Sequence, residues 1–185
     1  MKRKAARSVY NDGIIPDLLE SISSLNNTGL TTGRATKIAA QSLLGKVYVQ
    51  MGNFASAEMY LEDCIDAASS AGISLQNNFA DVFSSTNELN SEIIFATQFS
   101  KDIPDEYGFT EFTGWYIGND SKSFEPLDLY LVAAFDAAGD SVRKKMTVDE
   151  ISKCGVKYSQ ENQDQGWIEI RYADVIQVYA EALSE

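Results

Sequence analysis

Two residues, Gly52 and Asn53, separate two segments that each carry apolar side chains at helical spacing. Before them, Leu43, Leu44, Val47, Tyr48 and Met51 recur every three or four positions, and Thr36 stands where a helix N-cap belongs. After them, Phe54, Ala57, Leu61, Cys64, Ile65 and Ala68 repeat the pattern up to Gly72, a natural C′ residue. A two-residue connection leaves the helices no choice but to pack antiparallel. The stretch 36–72 is therefore predicted to be a helical hairpin, and the rest of the chain has to cover its remaining faces.

Elsewhere the pattern predicts a first helix over Ala5 to Leu25, kinked or restarted at Pro16. A short strand is expected at Ile93 to Phe99, where β-branched and aromatic residues crowd together. A helix led by Pro126 should run to Ala138 and stop at Gly139, while Lys157-Tyr158 and Trp167-Ile168 are strand candidates. A last helix spans Arg171 to Ser184, with Ala173, Ile176, Tyr179, Ala180 and Leu183 expected inward. Between them, 100–125 reads as a long irregular region rich in aromatics, glycine and acids. With 185 residues, one mainly α domain with minor β content is expected over 1–185. The apolar faces of the first and last helices lack a sequence neighbour, so self-association is expected.

Composition removes whole classes of chemistry. There is no histidine, hence no Ser-His or Cys-His nucleophile pair and no usual zinc ligand. Cys64 and Cys154 are too few for a disulfide framework, and Cys64 falls on an apolar stripe as a core residue would. The net charge of −12 repels phosphate backbones and anionic lipid, so nucleic acid is not an expected partner. Met1-Lys2-Arg3-Lys4 is followed by no apolar core of a signal peptide, and no run approaches a membrane span. Lys46 after Gly45 lacks the rest of a phosphate-binding loop, and no Gly-x-Ser-x-Gly elbow occurs. Asn162, Asp164 and Gly166 suggest a calcium loop only until Tyr172 is found in place of its terminal Glu. No metal or cofactor site is expected.

Numbered from Ile38, the residues Leu44, Gly45, Tyr48, Ala57, Leu61 and Cys64 fall on signature positions of a tetratricopeptide repeat, which the hairpin resembles. An isolated repeat cannot bury both faces and needs neighbours. A wider resemblance lies in Val9-Tyr10, Ile14 to Leu18, Gly33 to Lys37, Ala40 to Leu44 and Asn90 to Ala96. It continues in Asp128-Leu129-Tyr130, Ala134-Phe135-Asp136, Ile170 to Ile176 and Tyr179 to Glu185. In this order the blocks resemble the SusD/RagB family across nearly the whole chain. The resemblance implies a surface-exposed outer-membrane lipoprotein of Bacteroidetes that binds glycans, or in some cases peptides. It also implies delivery of that ligand to a TonB-dependent, SusC-like transporter. The implied fold has four tetratricopeptide-like units, with 171–185 opening another repeat and irregular loops holding the ligand. The family's lipidated cysteine, its signal peptide and everything after the last helix are not matched, as an interior piece of a longer protein would show. The family's Asp-x-Arg is one residue longer here, as Asp140-Ser141-Val142-Arg143, which puts the turn at that point in question.

A sugar site needs flat aromatic rings beside Asn, Asp or Glu, because sugars offer apolar C–H faces and many hydroxyls. The region 100–125 supplies both. Tyr107, Trp115, Tyr116, Asn119 and Asp120 are the expected ligand contacts, whereas Phe109, Phe112 and the same rings could instead plug the loop onto the scaffold. Trp167 is a lesser candidate because it adjoins a strand. Two further readings stand beside glycan capture. One is a protein-interaction repeat module, although an acidic-tail binder needs more cations than Lys37 and Lys46 against Glu58, Glu62, Asp63 and Asp66. The other is part of a glycoside hydrolase using Glu106 or Glu111 with Asp120, which would need both acids on rigid elements about 5–10 Å apart. No catalytic residue is assigned.

Overall fold

A computed structural model of the chain describes residues 5–28, 33–99, 127–151, 153–158 and 165–185. They form two compact units, one built from 1–75, 91–96 and 168–185 and the other from 76–90 and 97–167. The architecture is mainly α, with short two-stranded sheets.

The first unit begins with α1 (Ala6–Val9), a π-helical turn (Tyr10–Ile14) and α2 (Ile15–Ser24). Pro16 falls in the first turn of α2, and the wider turn directly before it accommodates the carbonyls that a proline ring leaves without a donor. The hairpin follows as α3 (Lys37–Gln50) and α4 (Phe54–Ala68), the latter extended by a 3-10 turn (Ser69–Ala71). Thr36 caps α3 as expected, its Oγ1 accepting from the Ala39 N–H at 3.2 Å, and Asn27 Oδ1 accepts from the Ile38 N–H at 2.9 Å.

The tight turn works because Asn53 serves both helices. Its N–H closes α3 onto the Tyr48 carbonyl at 2.9 Å, while its side-chain oxygen accepts from the Ser56 N–H at 3.3 Å and opens α4. Gly52, with φ of 72°, supplies the left-handed residue that this closure requires. Gly72 repeats the device after α4, where the Ile73 N–H reaches the Ala68 carbonyl at 2.9 Å.

α3 is the central helix, with α2 and α4 packed against it and α8 (Tyr172–Ser184) touching it as well. Its burial therefore runs nearly around the barrel and takes in Ile38, Ala39, Ala40, Gln41, Ser42, Leu44, Gly45 and Val47. Leu43, expected inward, is 44% exposed instead. A one-sided apolar stripe is the wrong template for a helix packed on several sides. α4 does follow its predicted face, with Ala57, Leu61, Cys64 and Ala68 buried.

α8 packs on α4 and α3, so the last helix has partners within the unit, as α2 has in α3. Its inward face is also shifted. Val175 and Ala182 are buried, with Tyr172, Val178 and Tyr179 against the core, while Ala180 and Leu183 are exposed. α8 is apolar on two sides, and periodicity alone does not say which side meets the core. Ile94 of β1 (Ile93–Thr97) and Ile170 of β4 (Trp167–Arg171) complete this core with Ile38, Leu61 and Cys64. β1 ends at Thr97 and not at Phe99.

The second unit contains α5 (Phe79–Val82), α6 (Leu129–Ala138), α7 (Ser141–Thr147), β2 (Val148–Asp149) and β3 (Cys154–Gly155). β2 and β3 pair antiparallel with Val148 opposite Gly155. α6 starts on an Asp128 cap and stops at Gly139, whose φ is 65°; Pro126 lies outside the described residues. The longer Asp140–Arg143 spacing makes a cap, with Asp140 Oδ1 accepting from the Arg143 N–H at 3.0 Å and its other oxygen paired with the guanidinium. Lys157-Tyr158 is not a strand: the pairing falls at Cys154–Gly155, and Tyr158 is buried among rings.

Candidate functional site

Tyr107, Trp115, Tyr116, Asn119 and Asp120 lie outside the described residues, as do Phe109, Phe112, Glu106, Glu111, Asn162 and Asp164. The described part of the chain decides the candidates that fall on it.

Trp167 is one of these. Its ring stacks on Tyr158 with centroids 4.6 Å apart and 19° between planes. Phe83 meets Tyr158 edge-on at 5.8 Å, Phe79 meets Phe83 edge-on at 5.4 Å, and the Lys157 ammonium lies over both phenylalanines at 5.7 and 5.2 Å. Offset and edge-to-face pairs of this kind bind the cluster to itself. Beside it, Gln165 is buried and donates to the Phe83 carbonyl at 3.0 Å, and the Gly166 N–H donates to Glu88 Oε2 at 2.7 Å. Trp167 is thus engaged in packing on at least one face. Gly166 is tied to Glu88, and a β-carbon there would come within 3.2 Å of both Glu88 Oε2 and the Thr97 carbonyl oxygen. No short sequence motif announces this cluster, because its members are spread from Phe79 to Trp167.

The loop over 83–90 is held by Asn90, buried, whose amide nitrogen lies 3.2 to 3.3 Å from the carbonyl oxygens of Asp81, Val82 and Asn87. In the first unit, Glu92 is buried and paired with Arg171, whose guanidinium also reaches Asp174 at 3.2 Å. These polar groups are occupied in fixing backbone.

The hairpin surface is acidic. Glu62, Glu58 and Asp66, one helical turn apart on α4, lie near enough to Tyr179 on α8 to push its phenol above the ordinary range, after the larger effect of desolvation. Such a face repels acidic peptides, and it opposes the interaction-module reading in its acidic-tail form. Cys64 is no nucleophile. Burial pushes its thiol up to about 11, against a lowering contact with the Ser42 hydroxyl at 3.5 Å, so at neutral pH it carries no thiolate. Among the described residues no group of three or more Cys, Asp or Glu side chains converges as a metal site would, and no helix is long and apolar enough to cross a membrane.

Comparison with known proteins gives these elements a context. No family model matches the chain. Over 75 residues, 40% of the chain, it is 40% identical to a SusD-like protein, P25, of Formosa agariphila, of which that stretch covers 14%. In fold it is similar to a laminarin-binding SusD-like protein, with a TM-score of 0.82 over 96% of this chain and 50% of that one, at 21% identity. It is also similar to surface glycan-binding protein A of Bacteroides fluxus, with a TM-score of 0.71 over 99% of this chain and 48% of that one, at 18% identity. A putative sugar-binding protein of Bacteroides vulgatus gives a TM-score of 0.70 over 91% of this chain and 39% of that one, at 22% identity. The chain spans about half the length of the first two of these structures and a smaller part of the other relatives.

Proposed function

We propose that this chain, SusD-like in sequence and fold, is the glycan-capturing part of a non-catalytic protein at the outer-membrane surface. Its ligand is an oligosaccharide, and its partner is a TonB-dependent, SusC-like transporter that receives the ligand. The observation that carries this reading is the superposition of nearly all of the chain on a protein whose name states that it binds laminarin. The second similar structure, named for glycan binding at a surface, supports the same ligand class. The lack of histidine and the acidic net charge fit capture of a neutral ligand better than catalysis or anion binding. Within the chain, Tyr107, Trp115, Tyr116, Asn119 and Asp120 are the ligand contacts that this reading assigns.

Titration calorimetry of the chain against laminarin oligosaccharides, with a panel of other neutral glycans and a peptide pool, tests it. The expected result is binding to at least one glycan with a Kd of roughly micromolar to millimolar, without release of new reducing ends. A folded chain that binds no glycan in the panel, or that binds only peptides, overturns the ligand assignment. Co-purification with a transporter from native outer membranes tests the partner separately.

A further inference from the structure

We draw no further inference here: the strongest candidate, the polar and aromatic cluster on the α3–α4 hairpin in which Gln41 meets Asp63 at 3.2 Å and Tyr60 stacks on Tyr48 at 5.7 Å, carries nothing because Gln41 Oε1 is enclosed by the protein and nothing in the structure shows what binds beside it.

Discussion

Gly45 and Leu61 occupy one space between α3 and α4: a β-carbon built on Gly45 would stand 2.5 Å from both Cγ and Cδ2 of Leu61. Leu61 is fully buried, so its branch cannot swing into solvent to make room. In Gly45→Ala the alanine gains about 1 kcal/mol of helix propensity. Overpacking of a closed contact costs about 1–3 kcal/mol, so the net effect is destabilising. Thermal unfolding should show a lowered midpoint, larger for Gly45→Leu. Leu61→Ala in the Gly45→Ala background should show favourable coupling of about 0.5–3 kcal/mol, and strict additivity would mean that the two residues do not meet.

Arg171→Ala leaves the buried Glu92 carboxylate without its guanidinium and removes one contact of Asp174, which still accepts from the backbone N–H at 171. Breaking a buried pair from one side costs about 3–5 kcal/mol, and the partial exposure of Arg171 places this one at about 2–4 kcal/mol. Glu92→Gln, which removes the charge but keeps hydrogen-bonding capacity, should cost less. Chemical denaturation of both variants gives the order, and a milder effect for Arg171→Ala than for Glu92→Gln would contradict the argument.

Cys64 makes the fold sensitive to alkali. Its pKa is raised from 9.0 to about 11 in the folded chain, so the unfolded state loses the thiol proton first. The stability tied to this proton is complete below pH 9 and is lost as pH rises through about 11, a fall on the order of 2–3 kcal/mol. Denaturation curves from pH 8 to about pH 11 should fall more steeply for the wild type than for Cys64→Ala, whose own cavity cost is independent of pH.

Gln41 is buried, and among the described residues its Oε1 has no hydrogen-bond partner, while its Nε2 donates to Asp63 at 3.2 Å. Gln41→Met removes one hydrogen bond worth about 1 kcal/mol together with a desolvated acceptor that costs about as much. The unfolding free energy should change by less than about 1 kcal/mol. A loss well above about 1 kcal/mol would contradict this balance.

Trp115→Ala separates recognition from packing. If the ring stacks on a sugar face, the variant should lose glycan-induced tryptophan fluorescence changes while its unfolding midpoint barely moves. A destabilisation of about 3–5 kcal/mol would instead mark the ring as core, and with it the site assignment would fall.

Elements governed by local chemistry follow from the residues alone. Thr36, Gly52, Asn53, Gly72 and Gly139 cap or close helices through bonds spanning at most five residues, so their identity and spacing suffice. The α4 face was legible for a related reason: that helix buries a single stripe, and a 3.6-residue period describes it completely. Tertiary structure alone decided where several neighbours compete for one helix. α3 is packed on several sides and leaves Leu43 outside, and α8 has two apolar stripes, of which the one centred on Val175 and Ala182 meets the core. The aromatic cluster of Phe79, Phe83, Tyr158 and Trp167 and the Glu92–Arg171 pair were illegible for the same reason. Their members lie up to 88 and 79 positions apart in the chain, and only the folded backbone brings them within reach.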